Sequence, residues 1–136
     1  MRLILLFLFL SSLIHAQWFY TFVGDSKNDV EVAFGEPDVF DRKSDIYHYF
    51  NFEKGTSINF MFRGNRVVAA GLVVITLDKA GAQQTLKHFV KRFKENDLKL
   101  ISQTETSASM RYGNINVSML VEPAQKQYRL RCTAKK

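Results

Sequence analysis

Residues 46–77 read IYHYFNFEKGTSINFMFRGNRVVAAGLVVITL, and the fold is decided in this stretch. Ile46, His48, Phe50 and Phe52 alternate with Tyr47, Tyr49 and Asn51, the two-residue period of a strand. Glu53-Lys54-Gly55 reads as a turn, after which Ile58, Phe60 and Phe62 mark one face of a second strand. Arg63-Gly64-Asn65 predicts a tight hairpin, because Gly and Asn accept positive φ. Residues 67–77 predict a third, longer strand, with Gly71 as the place for a bulge. The stretch is therefore a run of three consecutive antiparallel strands.

Helical signals flank it on both sides. Upstream, Ser26 is placed as an N-cap with Asp29 in the capping-box position. Val30, Ala33 and Phe34 then supply one apolar face. Gly35 ends this short helix and Pro37 prevents its resumption. Downstream, Asp78 can cap a helix over 79–96. Its apolar side is Ala82, Leu86, Phe89, Val90 and Phe93, and Lys87, Lys91, Lys94 and Glu95 lie opposite. Four further strands are expected at 98–103, 107–112, 115–121 and 127–133, with turns at Tyr112-Gly113-Asn114 and Glu122-Pro123. In the last of them Tyr128, Leu130 and Cys132 face one way and Arg129 and Arg131 the other. The order of helix, three strands, helix, four strands predicts an α+β fold with an antiparallel sheet. Two helix-plus-meander units, 17–77 and 78–136, would place both helices on one sheet face.

The N-terminus carries Arg2, an apolar run over 3–10, then Ser11-Ser12 and Ala16. That is the pattern of a cleaved signal peptide over 1–16, and the run is too short for the roughly 20 residues of a membrane span. Position 17 is Gln, where a bacterial lipoprotein would need Cys. The expectation is an exported protein, periplasmic or extracellular, without a lipid anchor or a transmembrane segment in its mature chain. Residues 17–136 suit a single domain. Cys132 is the one cysteine, so stability must come from the core and not from disulfides, which fits a bacterial envelope protein. Net charge is +6. The densest basic cluster, Lys87, Lys91, Arg92 and Lys94, reads first as a solvated helix face. Asn116-Val117-Ser118 is a glycosylation triplet, set inside a strand pattern.

Ser26-Lys27-Asn28-Asp29-Val30, Phe34-Gly35-Glu36-Pro37-Asp38, the tyrosines Tyr47 and Tyr49, and the run from Phe60 to Val68 resemble the SmpA/OmlA (BamE-like) family of bacterial envelope domains. A doubled unit of this kind is similar to the fold of β-lactamase inhibitor proteins. The resemblance implies a non-enzymatic role: binding other proteins in outer-membrane assembly, or inhibiting enzymes. The chain departs from the family in lacking a lipobox cysteine and in carrying a second helix-and-strand unit.

Catalytic constellations are hard to assemble. His48 and His88 are the histidines beyond the leader, and no Gly-x-Ser-x-Gly elbow occurs. Cys132 alternates with Leu130 and Tyr128, as a core cysteine would. Asp38, Asp41 and Asp45 share a loop but lack the spacing of a calcium loop. No phosphate-binding glycine loop or paired cysteine is present, so neither a cofactor nor a metal is expected. If Ile46, Phe50, Phe52, Ile58, Phe60 and Phe62 face the helices, then Tyr47, Tyr49 and Met61 face outward and form a binding surface. The N-terminal segment 18–22 or a homodimer is the alternative cover for it. The leading expectation is a non-enzymatic, exported protein-binding domain whose partner is another envelope or secreted protein. A carrier of a small apolar ligand is the first alternative. A salt-sensitive binder of anionic polymers through Lys87, Lys91, Arg92, Arg129 and Arg131 is the second, with no specific nucleic acid expected.

Overall fold

A computed structural model of the chain describes residues 19–136. The expected signal peptide and Trp18 lie outside the described residues. A 3-10 turn, Phe19–Phe22, is followed by α1 (Lys27–Phe34), β1 (Val39–Asp41), β2 (Ile46–Asn51), β3 (Thr56–Arg63) and β4 (Arg66–Thr76). Then come α2 (Lys79–Glu95), β5 (Lys99–Gln103), β6 (Ser107–Tyr112), β7 (Ile115–Ala124) and β8 (Gln127–Lys135). The strands form an eight-stranded antiparallel sheet in the order β1-β2-β3-β4-β8-β7-β6-β5. The fold is α+β, and β4 pairs with β8 at the centre of the sheet.

Local chemistry sets the helix ends. Ser26 Oγ accepts from the Asp29 backbone N–H at 3.1 Å, and Asp29 Oδ2 accepts from the Ser26 N–H at 3.0 Å, a closed capping box. These bonds hold the Asp29 carboxyl below the usual carboxylate range. Gly35 takes φ +79°, and its N–H donates to Glu31 O. Asp78 Oδ1 accepts from Gly81 N–H at 2.7 Å and starts α2. Two-residue Gly-Asn loops, Gly64–Asn65 and Gly113–Asn114, close the β3–β4 and β6–β7 hairpins, with φ +63° and +58° at the glycines.

Four details correct the expectations. Where three strands were expected before α2 there are four, because Val39–Asp41 pairs with β2. Three residues carry no readable period, and β1 exists only through that pairing. Glu122-Pro123 does not turn: β7 runs on to Ala124, and Gln125 at φ +54° turns the chain. Pro123 lies beyond the last β6–β7 pair, Ser107↔Leu120, so its missing N–H leaves no ladder bond unmade. Gly71 is not a bulge, since the register shift falls between Met61 and Phe62. Gly71 instead makes room for the Asn59 amide, which stands 2.8 Å from where a Cβ would sit.

The fourth correction concerns which face is which. β2 and β3 pair as Asn51↔Thr56 and Tyr47↔Phe60. The connecting loop thus has four residues, 52–55, rather than the three of Glu53-Lys54-Gly55. That one-residue difference turns the whole strand over. Tyr47 and Tyr49 share the inner face with Phe60, and Ile46, His48 and Phe50 face outward. The inner face carries the core: Tyr47, Phe60, Ala70, Leu72, Leu130, Cys132, Ala134, Val117, Met119 and Met110 are buried there. The buried Ala82, Leu86, Val90 and Phe93 of α2 complete the core.

Candidate functional site

Turned inward by the register of β2, the tyrosines find partners there for their hydroxyls. Tyr47 Oη donates to Glu31 Oε1 at 2.6 Å, and Tyr49 Oη donates to Gly35 O at 3.0 Å. Both acceptors belong to α1 or its cap, so the two phenols tether that helix to β2. Burial, and next the Glu31 bond, push Tyr47 from near 10 up to about 12. Burial also pushes Tyr49 upward. Tyr47 is only 6% exposed and is no part of an outer surface. Of the three residues expected to form that surface, Met61 alone faces outward, 41% exposed.

The outer face of the first four strands is nonetheless apolar. His48 and Phe50 stack with ring centroids 6.1 Å apart and planes 2° from parallel, and Phe50 and Phe52 stack at 5.6 Å. Phe52, in the loop after β2, is 89% exposed, and Phe50 is 40% exposed. Ile46 pairs across the outer face with Met61, and Val73 lies beside Ser57 on β3. Ile75, two residues along β4 from Val73, shares this face and is exposed. Reading the turn as four residues would have revealed Phe50 and Phe52 in the sequence itself, since an even loop pairs odd positions with even ones.

Beyond β4 the same face changes character. Residues opposite one another across β8, β7 and β6 are Thr133, Ser118 and Ser109, and Ser102 on β5 continues the row. They floor a shallow trough bordered by Leu120, Arg131 and Lys135. Glu122 holds two arginines here, Arg129 Nε at 2.6 Å and Arg131 Nε at 3.1 Å.

The proposed basic patch is therefore split. Arg129 and Arg131 point away from the core, whereas Lys87, Lys91 and Arg92 sit on α2, which covers the opposite, inner face. The alternation of Leu130 and Cys132 with the arginines already required this separation.

Cys132 is fully buried, and burial alone pushes its thiol up to about 12, which suits packing and not nucleophilic attack. Asp38 accepts from the Phe50 N–H at 2.7 Å, Asp41 accepts from the N–H groups of Lys43 and Ser44, and Asp45 pairs with Lys27 at 2.8 Å. Each of the three loop carboxylates thus serves a different structural partner. Among the described residues, no three His, Cys, Asp or Glu side chains cluster as metal ligands. Among them, too, no helix is long and apolar enough to cross a membrane.

No family model matches the chain, and no curated protein does. Among solved structures the chain is similar to a cysteine-rich secretory protein from Staphylococcus aureus subsp. aureus Mu50, at 13% identity and a TM-score of 0.45. The match covers 85% of this chain and 45% of that one, so the chain spans less than half of that protein's length. A likeness this distant leaves function to be argued from the residues themselves.

Proposed function

We propose that the chain is a non-enzymatic, exported protein-binding domain that docks through the outer sheet face of β2–β4. The observation that carries this reading is the outward-facing His48-Phe50-Phe52 stack, with Phe50, Phe52, Met61 and Ile75 exposed on the same side of the sheet. Exposed large apolar side chains gathered on one face, bordered by polar residues, have the make-up of a protein interface. Phe52 has the exposure of an anchor that becomes buried on binding. The resemblance to SmpA/OmlA domains implies the same class of role, in two helix-plus-meander units within one domain. The leader-like pattern of residues 1–16 favours a partner in the bacterial envelope or outside the cell. In the inner layer Leu86, Val90 and Phe93 belong to one buried apolar cluster with the sheet, as packing of a core requires.

The test immobilises the purified chain and its Phe52→Ser variant and exposes both to envelope extract. The expected outcome is one protein held by the wild type through a high-salt wash and lost from the variant. Equal retention by both would remove the apolar face from the mechanism. Material that elutes as salt rises would favour the binder of anionic polymers.

A further inference from the structure

The two ends of the outer face differ in charge as well as polarity. Lys135, Asn116, Arg111 and Lys99 are successive cross-strand neighbours on β8, β7, β6 and β5. Three cations thus occupy one row of four. Lys99 and Arg111 are directly opposite each other, about 5 Å apart between Cα atoms. Among the described residues, no carboxylate pairs with Lys99, Arg111 or Lys135, and Arg111 reaches only the neutral Asn116 amide at 3.3 Å. Like charges facing each other in this way destabilise a sheet. Edge protection accounts for a lysine on the edge strand β5. It does not account for Arg111 and Lys135, which lie on interior strands. On the far side of the hydroxyl row stands Arg131. With Arg129, five cations share the outer face of β5–β8 with one acid, Glu122.

We infer that the partner docking on this face is a protein with an acidic, extended segment, which lies across β8–β5 between the two basic flanks while an apolar group beside it seats on the Phe50-Phe52 stack. The inference rests on the docking reading above and adds the chemistry of the partner. The trough floor offers hydroxyls for backbone or carboxylate oxygens, and the row Lys135, Arg111, Lys99 offers charge along about 14 Å, three strand spacings. Two observations select a protein over a nucleic acid or a glycan. Among the described residues, no aromatic ring stands among these cations, whereas single strands and their bases use aromatic platforms. Val73 and Ile75 pair directly with Arg131 and Arg129, so apolar and basic contacts adjoin, matching a surface that mixes aliphatic and acidic side chains.

The experiment measures fluorescence anisotropy of two labelled peptides with the full chain: hexaglutamate, and hexaglutamate ending in Leu-Trp. A heparin hexasaccharide is the competitor. The variants are Lys99→Ser/Arg111→Ser and Phe52→Ser, with melting curves as a check on folding. The expected result is tighter binding of the Leu-Trp peptide, weakened about tenfold by the double variant, with a shallower salt dependence, and weakened again by Phe52→Ser. An unchanged affinity in the double variant, with loss in Phe52→Ser, overturns the acidic partner and leaves apolar docking standing. Binding that needs the cations but ignores Leu-Trp and Phe52 keeps the acidic segment and overturns the docking reading. Heparin binding at equal or higher affinity, or no binding of either peptide, overturns the inference.

Discussion

The two halves of the sheet solve the same packing problem in opposite ways. In the half formed by β1–β4 the covering helix, α1, has eight residues and only Val30 fully inside. The strands supply the bulk: Tyr49 and Phe60 meet Phe22 and Phe34 through ring contacts of 5.1–5.7 Å, and Tyr47 packs on Phe62 at 4.7 Å and on Tyr49 at 6.5 Å. In the half formed by β5–β8 the helix has seventeen residues and brings its own rings, Phe89 and Phe93. The strands beneath carry smaller groups, including Ala108, Cys132 and Ala134. Interiors hold a constant packing density, so volume that a short helix cannot provide must come from the sheet. Charge divides along the same line. Residues 19–77 hold eight acids and six bases, a net −2, and residues 78–136 hold five acids and twelve bases, a net +7.

The sharpest way to break this comparison is at neighbouring positions on opposite faces of the aromatic half. Phe60→Ala should cost about 3–5 kcal/mol, and Met61→Ala less than about 0.5 kcal/mol, in urea unfolding. Equal costs would mean that the two faces are not distinct. Alkali gives the next largest effect. Tyr47 is raised from near 10 to about 12 in the folded chain, so its contribution is fully present below pH 10 and is lost as pH climbs from 10 towards 12. Two units correspond to roughly 3 kcal/mol. Stability should fall steeply in that window, and Tyr47→Phe should flatten the fall. The helix caps come third. Ser26→Ala should cost about 1 kcal/mol, and because α1 has so little burial of its own, the loss should appear as faster amide hydrogen exchange confined to α1. An even rise across both helices would remove the distinction between a tethered and a well-packed helix. The smallest effect has the opposite sign: Lys99→Ser should stabilise by a few tenths of a kcal/mol by relieving Arg111. A loss of stability there would show that the cation row is not strained.

Much of the fold is legible in single residues. Ser26 and Asp29 specify the capping box, Gly35 its end, and the two Gly-Asn pairs their hairpins, because each acts within a few residues of itself. The period of Ala82, Leu86, Val90 and Phe93 specifies α2 in the same local way. The candidate site was less accessible. Met61 was legible as outward-facing from its place between Phe60 and Phe62. Tyr47 and Tyr49 were not legible as inward-facing, because a Tyr-x-Tyr strand has aromatic groups in both phases. Only the length of the 52–55 loop settles the phase.

The sequence by itself determined the α+β class, the two capped helices and the burial of Cys132, since these follow from short-range periodicity and local hydrogen bonding. Tertiary structure alone decided that β4 pairs with β8, that Val39–Asp41 is a strand, and which face of β2 meets water. Each of these depends on registers between strands that are distant in the chain, and a one-residue step in register exchanges every inward side chain for its outward neighbour.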